Sequence, residues 1–404
     1  MSKERVVVTG LGAVSPFGGG VELMWSGLKE QRCPLGPLPG AEESPGLGAR
    51  TAGLVPDLES KSIPRTYRRS MSKMAVFSYL AAREALKMAG LADYPAHMGL
   101  AIGTTMSSPA TLTEFFAEYL PKKTLDTLRS TTFFKIMGHG PASSLALALG
   151  LTGRTLAPSA ACAAGLQAVG LGYEAISAGR EELMLCGGTE EFDLLTALTF
   201  DQIMAASHNP DPLRASRPFD QGRDGLVCSE GAGVLLLESL SHARKRGAPI
   251  LAEIAGFATS TSPANIVHPD PPGIALTMKK ALADSGLAAG EIQAVNAHAT
   301  ATVDGDRAEG RAIAEVFGGR TPVLSFKGLL GHTMAASGAL ELVACVRMIQ
   351  EDLLPGNYNL DEPDSECADL QLPKITQKCI INAVLKNSFA LGGVNASLIL
   401  RKFA

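Results

Sequence analysis

Residues 163–177 read Ala-Ala-Gly-Leu-Gln-Ala-Val-Gly-Leu-Gly-Tyr-Glu-Ala-Ile-Ser, small and apolar on almost every side of a helix. A helix without a polar face has nothing to present to water, so it must lie between other layers of structure. The segments around it alternate strand-like and helix-like, the pattern of an α/β protein. Strands are expected at residues 5–9, 99–103, 182–186, 233–238, 250–254, 293–297, 322–327, 380–385 and 396–400. Helical periodicity covers 72–88, with Ala75, Tyr79, Ala82 and Leu86 on one face; further helices are expected at 273–285 and 335–350, and a basic one starts at 241–246. Two glycine clusters, Gly10-Leu-Gly12 and Gly187-Gly188, read as the ends of the strands before them.

Two stretches share an idiom. Around Cys162 a strand exit leads into a small-residue helix and then a strand. Around His332 a strand exit leads into 335–346, again small at the helix start and apolar later. This suggests a weak internal duplication with a boundary near residue 250. The chain then divides into 1–250, carrying Cys162, and 251–404, carrying His298 and His332. No Pro- or Ser-rich linker separates the halves, so they are expected to share a sheet or a core.

Aromatic residues make up only 5% of the 404, so the core has to be built mainly from Ala, Leu, Val, Ile and Met. The 43 glycines point to tight turns or close helix–strand packing. A formal charge of −4 gives no reason to expect nucleic acid. An acidic partner needs only a local basic patch. There is no apolar signal-peptide core and no run of about 18 or more apolar residues, so the reading is cytoplasmic, with no membrane partner. Seven scattered cysteines without a C-x-x-C pair argue against both structural zinc and a disulfide framework.

Three residues stand out chemically. Cys162 lies in Ala157-Pro-Ser-Ala-Ala-Cys-Ala-Ala-Gly165, directly before the buried helix. The positive end of a helix macrodipole favours a thiolate there, although a buried small hydrophobe is the alternative. His298 ends a strand and is followed by two hydroxyls and two carboxylates, in Ala299-Thr-Ala-Thr-Val-Asp-Gly-Asp306. Strand ends are where α/β proteins place their sites, but loop carbonyls could equally satisfy a structural histidine. His332 follows Lys327 by five residues, and no carboxylate or second histidine stands at helical spacing to make it a metal ligand. The turn-like Gly10-Leu-Gly12 lacks the third glycine of a dinucleotide fingerprint, and Pro16 with Gly18-Gly19-Gly20 would prevent the helix that cradles a pyrophosphate.

Taken together, the chain resembles the β-ketoacyl-acyl-carrier-protein synthases of the thiolase superfamily, most closely the elongating Cys-His-His type. The residues that carry the resemblance are Val8-Thr-Gly-Leu-Gly-Ala-Val-Ser-Pro-Phe-Gly18, the Ala161-Cys162 segment, Ser216-Arg-Pro-Phe-Asp-Gln-Gly-Arg-Asp-Gly225 and Glu230-Gly-Ala-Gly233. It continues through Asn296-Ala-His298, Lys327, Gly331-His332, and Asn387-Ser-Phe389 with Gly392-Gly393. The resemblance implies a thiolase-like five-layered αβαβα fold from two similar halves, in a homodimer or a heterodimer with a related subunit. It implies that Cys162 accepts an acyl group as a thioester, and that His298 and His332 promote decarboxylation of a malonyl carrier protein and stabilise the enolate. The backbone N–H groups of Cys162 and Leu391 would form the oxyanion hole. Lys327 would tune and order the site, with Glu309 as its associated acid. Thr300 and Thr302 would hold the phosphopantetheine arm of the acyl carrier protein, and no separate cofactor or metal is implied. Arg65, Arg68, Arg69 and Lys73 match the region where the acidic carrier docks; a solvated helix face is the alternative.

The gating loop departs from this pattern. Phe389-Ala390-Leu391-Gly392-Gly393 has Ala and Leu where elongating synthases carry Gly and Phe, which removes bulk at the mouth of the acyl pocket. Ala299 and Ala301, Phe326 and Gly328-Leu-Leu330 are further departures. These leave open both the acyl length and the choice between fatty-acid and polyketide or polyene-type synthesis. A degradative thiolase would need a second cysteine in the C-terminal Gly-rich loop, which has none. A catalytically weak or non-catalytic chain-length partner would be expected to lack Cys162. A nicotinamide oxidoreductase would rest on Gly10-Leu-Gly12 alone.

Overall fold

The computed structural model describes residues 3–126, 128–263, 266 and 268–404. An eleven-stranded sheet runs through the molecule. The two-residue strand Gly18–Gly19 pairs only with the first strand, and the other ten fall into two sets with the same order. In the first set β1 (Val6–Ser15), β2 (Gly99–Gly103), β3 (Thr155–Leu156), β4 (Leu183–Glu190) and β5 (Gly231–Ser239) lie side by side as β3-β2-β4-β5-β1. In the second, β6 (Ala252–Thr261), β7 (Ala294–Asn296), β8 (Val323–Leu324), β9 (Ala383–Phe389) and β10 (Val394–Arg401) lie as β8-β7-β9-β10-β6. Each set uses its third, second, fourth, fifth and first strand in turn, with the same parallel and antiparallel pairings. The sets join where β1 meets β6, from Val6 opposite Ile254 to Val8 opposite Ala252.

Helices make three layers around these two sheet halves. α1 (Lys73–Met88), capped by the Ser72 hydroxyl accepting from the Ala75 N–H, covers the outer face of the first set. α2 (Ala164–Ser177) and α5 (Ser337–Glu351) fill the middle. α3 (Pro271–Ser285) and α4 (Val303–Phe317) cover the outer face of the second set. The middle layer is the all-apolar helix of the sequence together with its counterpart; α5 is buried from Ser337 through Val346. Burial on every side explains why neither helix carries a polar stripe.

The glycine clusters behave differently from the sequence reading. β1 runs straight through Gly10-Leu-Gly12 to Ser15, so no phosphate-binding turn exists there. A Cβ on Gly10 would lie 2.1 Å from the Ala85 carbonyl oxygen, and one on Gly12 would lie 1.8 Å from that of Ala81. These glycines let α1 rest directly on the strand. β4 likewise continues across Gly187-Gly188 to Glu190. The expected strand at 322–327 ends at Leu324, and Lys327 instead opens the short helix Lys327–Leu330. A 3₁₀ turn, Met334–Ala336, occupies the first positions expected for the last helix.

Candidate active site

Cys162 sits in the 3₁₀ turn Ala161–Ala163 that leads into α2. Ala161 is held at φ +45°, a left-handed conformation that costs a residue with a side chain about 1–2 kcal/mol. Such strain persists only where the surroundings impose it. The turn delivers the thiol to His332: Sγ lies 3.0 Å from Nε2, and Nδ1 of the same ring lies 3.1 Å from the Ser337 hydroxyl at the start of α5. The His298 ring stands edge-on to that of His332, with centroids 5.3 Å apart and planes at 82°. Donor atoms of Cys162, His298 and His332 all lie within 4.8 Å of one another.

Spacing along the chain therefore did not exclude a cation-binding set, because the fold supplies Cys162 and His298 from elsewhere. The surroundings argue against a cation on electrostatic grounds. Lys327 and Lys386 are both completely buried, and each donates to Glu341, at 2.6 Å. Two ammonium groups beside the histidines repel a further positive charge.

The same surroundings set the protonation states. Burial pushes the Cys162 thiol up to about 12, against the opposing charge of Lys327, while Glu190 pushes in the same direction as burial. The helix-terminus argument for a resting thiolate is thus outweighed by desolvation. Cys162 rests as a thiol whose proton His332 is placed to accept. Burial lowers both His298 and His332 well below the ordinary histidine range, and Lys327 and Lys386 add to the effect. Both rings are neutral at physiological pH. His298 Nδ1 is buried without a hydrogen-bond partner among the described residues.

Glu309, the acid that the resemblance associates with Lys327, acts on it through charge and forms no hydrogen bond to it. Its carboxylate accepts from the backbone N–H of His298 at 2.8 Å, from that of Ala299 at 2.7 Å, and from Asn387 Nδ2 at 3.1 Å. Glu309 thus holds the backbone at the histidine, and the acid that engages Lys327 is Glu341. Neither Glu341 nor Lys386 was identified from sequence. The signal was a lone Glu inside an otherwise apolar helix start and a lone Lys in a strand run, and the expected strand had stopped at residue 385.

A cavity of about 380 Å³ opens onto this group. Cys162, His298 and His332 line it, as do Thr300, Thr302 and Leu391. The hydroxyls of Thr300 and Thr302 lie 3.1 Å apart. The gating segment closes one side: Phe389 packs its ring 6.0 Å from that of His298, and Leu391 is 43% exposed. Backbone bonds from Ala390 N–H to Val394 O and from Gly393 N–H to Ala390 O shape the turn, with Gly392 and Gly393 at φ +86° and +76°. Of the basic residues, Arg65 and Arg69 are exposed and Arg68 is half-buried; none of the four lines the cavity. Lys73 is paired at 2.6 Å with Glu230, whose side chain is fully buried.

A buried thiol facing an imidazole, with a second neutral imidazole and two lysines around it, defines a cysteine acyltransferase site. The β-ketoacyl synthase N-terminal domain matches residues 3–243, and the C-terminal domain of the same family matches 251–361. The chain belongs to the β-ketoacyl synthase family, condensing acyltransferases of fatty-acid and polyketide synthesis with a thiolase-like αβαβα fold. It is 35% identical to a 3-oxoacyl-acyl-carrier-protein synthase 2 of Synechocystis, over 100% of this chain and 99% of that one. A β-ketoacyl synthase structure from Burkholderia phymatum superposes with a TM-score of 0.95 at 36% identity, covering 99% of this chain and 100% of the other. The structure of the ishigamide ketosynthase/chain length factor superposes at 0.93 with 31% identity, over 100% of both chains.

Proposed function

We propose that the condensation runs through Cys162, on acyl groups delivered by an acyl carrier protein. The observation that carries this reading is the 3.0 Å contact of Cys162 Sγ with His332 Nε2 beside the His298 ring. Cys162 attacks the incoming thioester carbonyl; its proton passes to His332 and then to the departing pantetheine sulfur. A malonyl thioester then enters. Its carboxylate bond breaks, CO₂ leaves, and the electron pair becomes an enolate whose oxygen accepts from His298 and from His332. At this stage the His332 ring carries its proton on Nε2, with Nδ1 accepting from the Ser337 hydroxyl. The enolate carbon attacks the Cys162 thioester, the backbone N–H groups of Cys162 and Leu391 hold the oxyanion, and collapse releases Cys162 as a thiolate that takes a proton from water to return to the thiol. Lys327 tunes the site and Glu309 fixes the His298 backbone.

Thr300 and Thr302 bind the phosphopantetheine arm within the cavity, and this arm takes the place of a separate cofactor. Arg65, Arg68 and Arg69 receive the acidic carrier. The halves 1–250 and 251–404 each supply part of the site. The reading places the enzyme in the cytoplasm, as a homodimer or paired with a related subunit. Among the described residues no helix is long and apolar enough to cross a membrane.

Intact-protein mass after incubation with a panel of acyl-carrier proteins tests this reading. One acyl adduct that is lost in Cys162→Ala is the expected result. No adduct from any donor, in folded protein, would instead favour a non-catalytic chain-length partner, a reading kept open by Ala390-Leu391 and by the similarity to a ketosynthase/chain length factor.

A further inference from the structure

Along β9, alternate side chains face opposite layers: Val384 belongs to the central core and Leu385 to the outer one. Period two puts residue 386 on the central side, where an apolar residue is expected. It is a lysine with no exposed surface. Its Nζ donates to Glu341 Oε2 at 2.6 Å and approaches the Ala297 carbonyl at 3.4 Å, one residue before His298. Lys327 holds the other oxygen of the same carboxylate at 2.6 Å. One carboxylate is therefore shared by two buried ammonium groups, so this trio by itself carries one net positive charge, with Glu309 the further carboxylate that acts on both lysines. A single lysine would already have neutralised Glu341, so the second needs its own explanation.

We propose that Lys386 is a positioning residue of the condensation reaction, acting through the charge it adds to the Lys327–Glu341 pair beneath His298 and His332. The inference rests on the catalytic reading of Cys162 and the two histidines given above. Desolvation makes a buried ammonium costly, and it lowers Lys327 even though Glu341 opposes it. The charge of Lys386 disfavours imidazolium at either ring. A neutral His332 can accept the Cys162 proton, whereas a protonated one cannot. The charged and titratable groups packed around the rings are Cys162, Lys327, Lys386, Glu309 and Glu341, and Glu190 acts on Cys162 from the end of β4. Glu309 accepts from three N–H donors and hydrogen-bonds neither lysine, although its charge acts on both.

The test is the pH dependence of Cys162 acylation, followed in a single turnover by intact mass. In Lys386→Met the methionine keeps an unbranched apolar stem, and Glu341 and Lys327 pair to neutrality. The acid limb should move up by about one pH unit, so that acylation within the limb slows about tenfold. In Lys386→Met/Glu341→Gln, Lys327 alone restores one net charge, and the limb should return to its native position. A folded Lys386→Met protein whose limb superposes on the native one overturns the proposal. Should that variant fail to fold, the double variant decides: a native limb supports the charge argument, and a limb displaced by a unit overturns it. Failure of the native enzyme to acylate at all would sink the catalytic reading instead, so the two failures are distinguishable.

Discussion

Gly165 and Ala335 meet at the centre of the molecule so closely that a Cβ on Gly165 would lie 2.2 Å from the Ala335 carbonyl oxygen. The contact relates equivalent points of the two halves. Gly165 follows Cys162 by three residues, and Gly338 follows Ala335 by three; a Cβ on Gly338 would lie 2.7 Å from the Leu166 nitrogen. Ala161 and Met334, just before Cys162 and Ala335, share left-handed φ values of +45° and +46°. The nucleophile turn is thus built twice, and only the first copy carries a thiol. Backbone rather than a flexible side chain stands in the way of a Cβ here. Gly165→Ala should therefore destabilise the fold by about 1–3 kcal/mol in urea denaturation, with slower Cys162 acylation. A variant of native stability would mean that the helix starts can separate freely.

His332 should govern the reactivity of Cys162. The thiol is pushed up to about 12, so it needs a base within reach to react near neutrality. His332→Ala removes the acceptor 3.0 Å away. Alkylation of Cys162 by iodoacetamide at pH 7.5 should fall at least about tenfold, a modest value for loss of a general base. Unchanged alkylation would show that another group takes the proton.

Glu190 makes stability depend on pH. Burial raises its carboxyl from the ordinary 4.5 to about 8, opposed by N–H donors from Thr105 and Ala335. The folded protein then holds a proton that the unfolded chain releases above about 4.5. This contribution is complete below that value and is lost as pH rises towards 8. Gln mimics the protonated acid and keeps an acceptor oxygen. Glu190→Gln should raise the melting temperature at pH 8 and leave it nearly unchanged at pH 4.5. Equal shifts at both values would assign the effect to packing.

The basic residues before α1 and at its first position should separate into two roles. Charge reversal at Arg68 and Arg69 should weaken use of acyl-carrier substrates more than about tenfold while sparing small acyl thioesters. Lys73→Ala should act on stability instead, because it leaves Glu230 buried without its cation. Steady-state kinetics with both substrate types, alongside thermal melts, check this. Equal losses for carrier and small thioester in the Arg variants would refute docking at this face.

The ordered motifs around Cys162, His298, Lys327, His332 and Phe389-to-Gly393 made the family legible from the sequence alone. The all-apolar run at 163–177 likewise announced a middle layer, because a helix's buried face is written in its own periodicity. The ends of β1 and β4 were not legible. A glycine reads locally as a break, and only the helix or strand lying against it reveals a close approach. The charges were also hidden. Lys386 and Glu341 are 45 residues apart, and Cys162 and His332 are 170 apart. Which cation meets which carboxylate depends on how α5 packs against β9, and which imidazole meets the thiol depends on the faces the two halves turn towards each other; no local pattern records either. The state of the thiol followed the same rule: its sequence neighbours favour a thiolate, and the desolvation imposed by the assembled core decides for the thiol.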